Sequence, residues 1–282
     1  MASLKTENLK ISSEAQQQQT HLHRRKPVSR ETKHRSITLL TLISLLAVWT
    51  LVSVMAWVDP LFLPSPMIVL ERFYDLFSHG YMGIDLWAHI AASLMRMGVA
   101  LIAAIVIAIP VGIAIGRHPS IAAVLDPIIE FYRPIPPLAY LPLIVIWFGI
   151  GEFSKTILIY LAIFAPIVIA TASGVRGVDQ AKIRAAQSLG ASPKQIIQHV
   201  VLPSALPSIL TGIRIGLGVG WSTLVAAELV GASEGLGFMV QSSSQLLATD
   251  VVVVGILLIA IIALALEMGL RHLQKKWVPW DR

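Results

Sequence analysis

Residues 175–203 read VRGVDQAKIRAAQSLGASPKQIIQHVVLP. They form the longest polar interruption inside an otherwise apolar chain, and their reading decides the fold. Asp179 stands where a helix N-cap belongs, and the helix it opens runs to about Leu189. Gly190 supplies the left-handed residue that ends such a helix. Ser192 caps a second helix, with Pro193 at its first position and Gln195 three residues after the cap, a capping box with proline at N1. Pro203 is expected to end that helix. A capped helix–turn–helix with the small residues Ala185, Ala186 and Gly190 on one face needs a partner to cover it.

Outward from this segment the chain is built for a bilayer. Of its 282 residues 55% are apolar and 13% charged, against roughly 25% charged in an ordinary soluble domain. A crossing helix needs about 20 apolar residues. Residues 37–57 form the first span, and the 36 polar residues before it, with the apolar length, argue for a retained anchor rather than a cleaved signal. Further spans are expected at about 89–115, 121–150, 156–172, 204–230 and 251–270. The third is interrupted by Pro134, Pro136 and Pro137, which remove backbone donors; such a break survives in a membrane only where protein or water satisfies the freed groups. Gly151–Lys155 reads as a tight turn and 231–250 as a loop. In 58–88, Ile68, Val69, Phe73, Leu76 and Phe77 recur at helical spacing, which predicts an amphipathic helix at the membrane surface.

Residues 1–36, with Gln16–Gln19 and a basic cluster from Arg24 to Arg35, are expected to be disordered. Residues 272–282 form a short C-terminal tail. Six spans put both termini on one side. With that side inside, 17 of the 22 Lys and Arg residues lie in cytoplasmic segments and only Arg72 and Lys155 lie outside, as the positive-inside rule requires. The formal charge of +6 therefore reads as membrane topology and not as a nucleic-acid footprint. With no cysteine, disulfides, thiolate metal sites and iron–sulfur clusters are excluded. The histidines form no metal-ligand spacing. Gly149–Thr156 (GIGEFSKT) nearly matches a phosphate-binding loop, but that motif requires a preceding strand, and both flanks here are spans.

Ala185, Ala186, Gly190, Val200, Leu202 and Pro203 match the spacing of the "EAA" loop of binding-protein-dependent ABC importer permeases. Arg184 stands where that pattern has Glu, and Val200 where it has Ile. The segments LDPIIEFYRPIPPLAYLPLIVIWFGIGEFSK (125–155) and IRIGLGVGWSTLVAAELVGASEGLGFM (213–239) resemble the sulfonate, nitrate and bicarbonate branch of these permeases, the taurine permeases above all. The likeness spans about Leu61 to Leu273. It implies an all-α integral membrane protein of the type I importer fold, with six transmembrane helices and cytoplasmic coupling helices. It implies a homodimer with a second permease copy, two ATPase subunits that hold the ATP and Mg, and a periplasmic substrate-binding protein, in the bacterial inner membrane. The chain itself would carry no cofactor and no catalytic residue. In the family this loop docks on the ATPase, which places Arg184, Ala185, Ala186, Ser188, Leu189, Gly190, Ala191 and Ser192 at that contact. The implied cargo is a small organic anion or zwitterion, taurine or another alkanesulfonate first, with nitrate or bicarbonate as the alternative. An ion-coupled secondary transporter is the reading from another class; it would not need the helix pair.

Charged groups inside spans are costly and default to function. Arg96, Glu130, Arg133, Arg214, Glu228 and Glu267 qualify, and Glu130 and Arg133 have the spacing to pair on one helical face. A zwitterionic sulfonate needs a cationic contact, for which Arg133 and Arg214 are candidates, and an acidic one, for which Glu228 is; Trp221 and Ser222 complete the candidate path. Structural pairing or snorkelling is the competing account. Gly212, Gly216 and Gly220 recur every fourth residue and allow close helix approach, either between permease copies, along a pore, or within one subunit.

Overall fold

The computed structural model describes residues 28–279, with side chains from residue 37 onward. The expectations for residues 1–27 and 280–282 lie outside the described residues. Helix α1 (Val28–Val54) begins nine residues before the apolar span, so the stretch 28–36 is helical rather than disordered. An apolar span already past its nucleation cost extends readily through flanking Arg, Glu and Lys, which are good helix formers. Residues 1–60 and 61–282 form two separate units. The apolar side chains of α1 from Ile37 onward are mostly exposed, as befits a helix solvated by lipid.

In the second unit the predicted amphipathic helix is α2 (Pro66–His79), capped by Ser65. It buries Val69 and Leu76 and leaves Ile68, Phe73 and Phe77 exposed. Its Arg72 donates to Asp250 at 2.7 Å, and that hydrogen bond raises the guanidinium pKa above its ordinary value. Then follow α3 (Leu86–Arg117), α4 (Pro119–Tyr132), α5 (Pro137–Phe148), α6 (Glu152–Arg176), α7 (Gln180–Ser188), α8 (Pro193–Ile196), a π turn at Ile197–Val201, α9 (Leu202–Glu228), α10 (Leu236–Gln245) and α11 (Thr249–Trp277).

Helix α6 is the centre of the unit, with α3 and α9 packed along its two sides. A Cβ on Gly112 of α3 would lie 2.5 Å from Thr171, and one on Gly116 2.6 Å from Val175. On the other side, a Cβ on Gly212 would lie 2.5 Å from Ala170 and one on Gly220 2.8 Å from Ile163, while Gly216 sits against Ile163 and Ile167. The glycine seam of α9 is therefore an in-subunit contact with α6. Lipid tails are as apolar as the helices, so this association rests on close van der Waals packing, which small residues permit.

The same contacts fix the topology. Arg96 meets Glu152 near one end of α3 and α6, and Gly116 meets Val175 near the other, so these two helices run parallel. The chain between them must then return across the membrane. Helices α4 and α5, bent by 100° at the break before Pro137, are one broken span rather than a re-entrant loop. With α1, the described residues make six crossings, as expected. Inner and outer below follow the positive-inside orientation, with α7 and α8 inner.

Four boundaries differ from expectation. Helix α6 starts at Glu152, so Gly151–Lys155 is not a turn, and α11 runs to Trp277 through residues expected in the tail. Paired or snorkelling charges continue a helix past its apolar limit. Residues 231–250 contain α10, whose Ser242 hydroxyl lies 3.1 Å from the Tyr81 hydroxyl. Pro203 does not end the second helix: the Leu202 N–H reaches back to the Ile197 carbonyl, and this wider turn accommodates the proline ring that would clash in a regular helix.

Candidate functional site

The segment 175–203 forms the capped pair its sequence requires. The Ala181 N–H donates to the Asp179 carboxylate at 2.8 Å. Gly190 takes φ +81°, a left-handed conformation open to glycine at no steric cost. The Gly190 and Ala191 N–H groups return to the carbonyls of Gln187 and Ala186 at 2.9 and 3.0 Å, a Schellman ending. Ser192 and Gln195 close the capping box, the Ser192 N–H donating to the Gln195 side chain at 2.8 Å.

The pair is anchored below and bare above. Val178, Ile196 and Val201 are buried, whereas Arg184, Ala185, Ser188 and Ser192 are exposed and Ala186 and Ala191 are half-buried. Leu189, at the elbow, is 88% exposed. A groove of about 430 Å³ runs beside it, with Ala186, Gly190, Ala191 and Gln195 in its walls. Arg184 makes no ion pair among the described residues, and its backbone carbonyl accepts from the Ser188 hydroxyl at 3.0 Å.

The opposite end of the bundle holds a buried charge network. Arg96, 4% exposed, binds Glu152 through two nitrogens, one at 2.9 Å, and Glu228 at 2.7 Å. Its Nη1 also donates to the Glu234 carbonyl at 2.8 Å. Both oxygens of the Glu228 carboxylate accept from protein: Oε1 from Arg96 and from the Ser93 hydroxyl at 2.7 Å, Oε2 from the Gly237 N–H at 2.7 Å. Lys155 donates to Glu152 at 2.9 Å and to the Gly231 carbonyl at 3.2 Å. His89 Nδ1 lies 3.1 Å from the Gly235 N–H and 3.2 Å from the Gly235 carbonyl, and its Nε2 lies 3.4 Å from the Tyr81 carbonyl. Two cations and two carboxylates cancel, and together they bind the outer ends of α3, α6 and α9 to the loop before α10. Gly235 has φ +132°, and a Cβ there would lie 2.5 Å from the Glu228 carboxyl carbon.

The candidate path residues are therefore dispersed. Glu228 is engaged on every side by this network. Arg214 lies fourteen residues earlier on α9, about 21 Å along the axis, where it faces Glu267 at 3.8 Å and Gln274 at 3.5 Å. Arg133 is exposed at the bend of the broken span, and among the described residues it is not paired with Glu130. Ser222 is exposed and donates to the Gly218 carbonyl. Trp221 is buried, its indole N–H without a partner among the described residues. The partners of Arg96 escaped the sequence reading. A usable signal was present, since His89, Ser93 and Arg96 continue the helical stripe of Ala100, Ala104, Ala108 and Gly112 that packs into the core.

Six crossings by the described residues, an exposed capped helix pair at one end and a charge network at the other define an integral membrane protein. The family model for the binding-protein-dependent transport system inner membrane component matches residues 104–278, and the chain belongs to that family. It is 58% identical over 262 residues to the taurine transport system permease protein TauC of Escherichia coli (strain K12), covering 92% of this chain and 95% of that protein. It is 35% identical to the putative aliphatic sulfonates transport permease protein SsuC of the same organism, over 85% of this chain and 89% of that one. The nitrate import permease protein NrtB of Synechocystis is 34% identical, over 78% and 82%. In fold, a chain of the MetNI methionine ABC transporter, in an inward-facing conformation, superposes with a TM-score of 0.60 at 20% identity, over 68% of this chain and 97% of that one. The chain is thus an inner-membrane transport subunit of the type I importer fold and not itself an enzyme.

Proposed function

We propose that this permease carries taurine and related alkanesulfonates inward across the bacterial inner membrane, driven by ATP hydrolysed elsewhere. The carrying observation is the α7–α8 pair, capped at both starts, rooted in the core and bare at Leu189. Burying one leucine side chain is worth about 1.5–3 kcal/mol, which suits a reversible contact with an ATPase subunit. In this reading two permease copies, both termini cytoplasmic, sit among membrane lipid with two ATPase subunits, which bind the ATP and Mg. A periplasmic binding protein delivers substrate to the outer loops. ATP-driven closure of the ATPase pair moves α7 and α8, and the spans alternate between outward and inward access. The likeness to taurine and sulfonate permeases supports the cargo.

The test is reconstitution. Liposomes holding the permease with its co-purified ATPase should take up taurine only with binding protein and ATP, and vanadate should stop it. Taurine uptake by the purified chain alone would sink the proposal in favour of ion coupling. Tight binding of nitrate rather than taurine by the cognate binding protein would replace the cargo but leave the machinery.

A further inference from the structure

A second cleft, of about 570 Å³, opens at the inner end of the bundle between α3, α4 and α6. Its walls are apolar at Ala122, Ala123 and Pro127, and its charged lining is Arg117, Arg176 and Asp126. Arg117 and Arg176 are the final residues of the parallel spans α3 and α6, so both guanidinium groups stand where the bilayer gives way to water. Arg176 donates to Asp126 at 2.7 Å. Arg117 has no counter-ion among the described residues, and its Nη1 is buried without a hydrogen-bond partner. The cleft therefore carries one uncompensated positive charge. Buried polar groups nearly always have partners, and this one lies beside an open, half-apolar space.

We infer that this cleft binds the headgroup phosphate of an anionic phospholipid from the adjoining leaflet, with Arg117 as its principal contact and Arg176 shared between lipid and Asp126. Three observations converge. The charge is complementary to a phosphodiester, and guanidinium groups match phosphate geometry through paired donors. The depth is that of the headgroup layer, set by where α3 and α6 end. The apolar walls suit the glycerol and first methylenes, which a free inorganic anion lacks. Basic pockets between spans at the cytoplasmic surface are where acidic headgroups concentrate. The leaflet assignment rests on the orientation proposed above; the binding itself does not. Gln180 opens α7 four residues after Arg176, so an occupied cleft would brace the root of the ATPase-facing element.

The full chain, purified in detergent, is titrated separately with phosphatidylglycerol, with phosphatidylcholine of the same acyl chains and with inorganic phosphate, and bound species are counted by native mass spectrometry. One phosphatidylglycerol per chain is expected, held in preference to phosphatidylcholine. Arg117→Gln with Arg176→Gln should weaken it roughly thirtyfold, since each cation near the surface contributes about fivefold. Ala123→Trp, which fills the cleft and leaves both charges, should release it as well; Arg117→Lys should retain most of it. Equal retention of the two lipids, or retention unchanged in both the double variant and Ala123→Trp, would overturn the inference. So would arginine-dependent capture of inorganic phosphate that phosphatidylglycerol cannot displace, and so would loss of the co-purifying ATPase in the double variant with lipid binding intact, which would assign the arginines to a protein contact. Lipid retention is measured without ATP, ATPase or substrate, so its failure is distinct from failure of the import reading.

Discussion

Glu228→Gln removes one charge and one acceptor from the centre of the outer network and changes almost no volume. In the native arrangement both carboxylate oxygens accept, from Arg96 and Ser93 on one side and from the Gly237 N–H on the other. A glutamine amide has a single acceptor oxygen. Whichever way it turns, its NH2 faces a donor: the Gly237 N–H, or Arg96 and Ser93. In the second case Ser93 can turn its hydroxyl away and accept, since its oxygen has a second lone pair beside the one taken by the Leu236 N–H at 2.9 Å, but the Arg96 guanidinium has no acceptor and cannot. Each hydrogen bond to a charged group contributes about 1.5–3 kcal/mol net, and breaking a fully buried pair costs about 3–5 kcal/mol. Arg96 keeps Glu152, so the loss should fall near the low end, about 3 kcal/mol. In a chain of this size that corresponds to a melting midpoint lower by roughly 6–12 °C. Glu152→Gln touches the same guanidinium, but its side chain is 62% exposed, and exposed pairs contribute about 0–1 kcal/mol. Thermal unfolding of the purified chain in detergent, followed by tryptophan fluorescence, compares the two. Equal midpoints for the two variants, or a Glu228→Gln midpoint within about 2 °C of wild type, would refute the claim that burial and full occupancy of the carboxylate hold the outer ends together.

Gly235→Ala should be damaging out of proportion to one methyl, because φ +132° is strained for any Cβ and the new carbon meets the Glu228 carboxylate at 2.5 Å; a loss of about 2–3 kcal/mol is expected in the same melting experiment. Gly212→Ala and Gly218→Ala make an internal pair on α9. The first forces a Cβ to 2.5 Å from Ala170 and should cost about 1–3 kcal/mol, while the second meets nothing within 4 Å and should be neutral or slightly stabilising through helix propensity. Gly190→Asp should abolish ATP-driven uptake while normal amounts of permease reach the membrane, since Asp tolerates the left-handed region but sets a carboxylate beside Leu189; undiminished uptake would remove α7–α8 from the docking role.

The caps of α7 and α8 were legible because their chemistry is local: Asp179, Gly190, Ser192 and Gln195 act on backbone groups within five residues. The count of crossings was legible for the same reason, since apolar length is a property of a single stretch. The broken span was visible as Pro134, Pro136 and Pro137, yet its 100° angle and its status as a true crossing emerge only from the parallel packing of α3 on α6. Helix α10 was hidden by Gly and Ser residues that favour loops in isolation and that here are held by Glu228 and Tyr81. The outer network was least legible. Arg96 lies 56 residues from Glu152 and 132 from Glu228, so Glu228, met alone in a span, reads as a solute contact. Only the fold shows that Glu228 already has all its partners.

Helices α8 and α9 with the π turn between them form one 36-residue rod from Pro193 to Glu228, about 54 Å long. At its foot stands the Ser192 elbow; at its head the carboxylate that holds the outer loop. A hydrogen-bonded rod neither shortens nor stretches, so a push at the foot has two outlets: it is absorbed where the winding loosens at Ile197–Val201, or it arrives at Glu228 undiminished. The glycine track against α6 leaves sliding along the axis and rotation about it as the motions that keep contact. The two membrane faces are thereby connected by a single continuous part whose winding loosens at Ile197–Val201, near its foot, and which lacks one further backbone donor at Pro207.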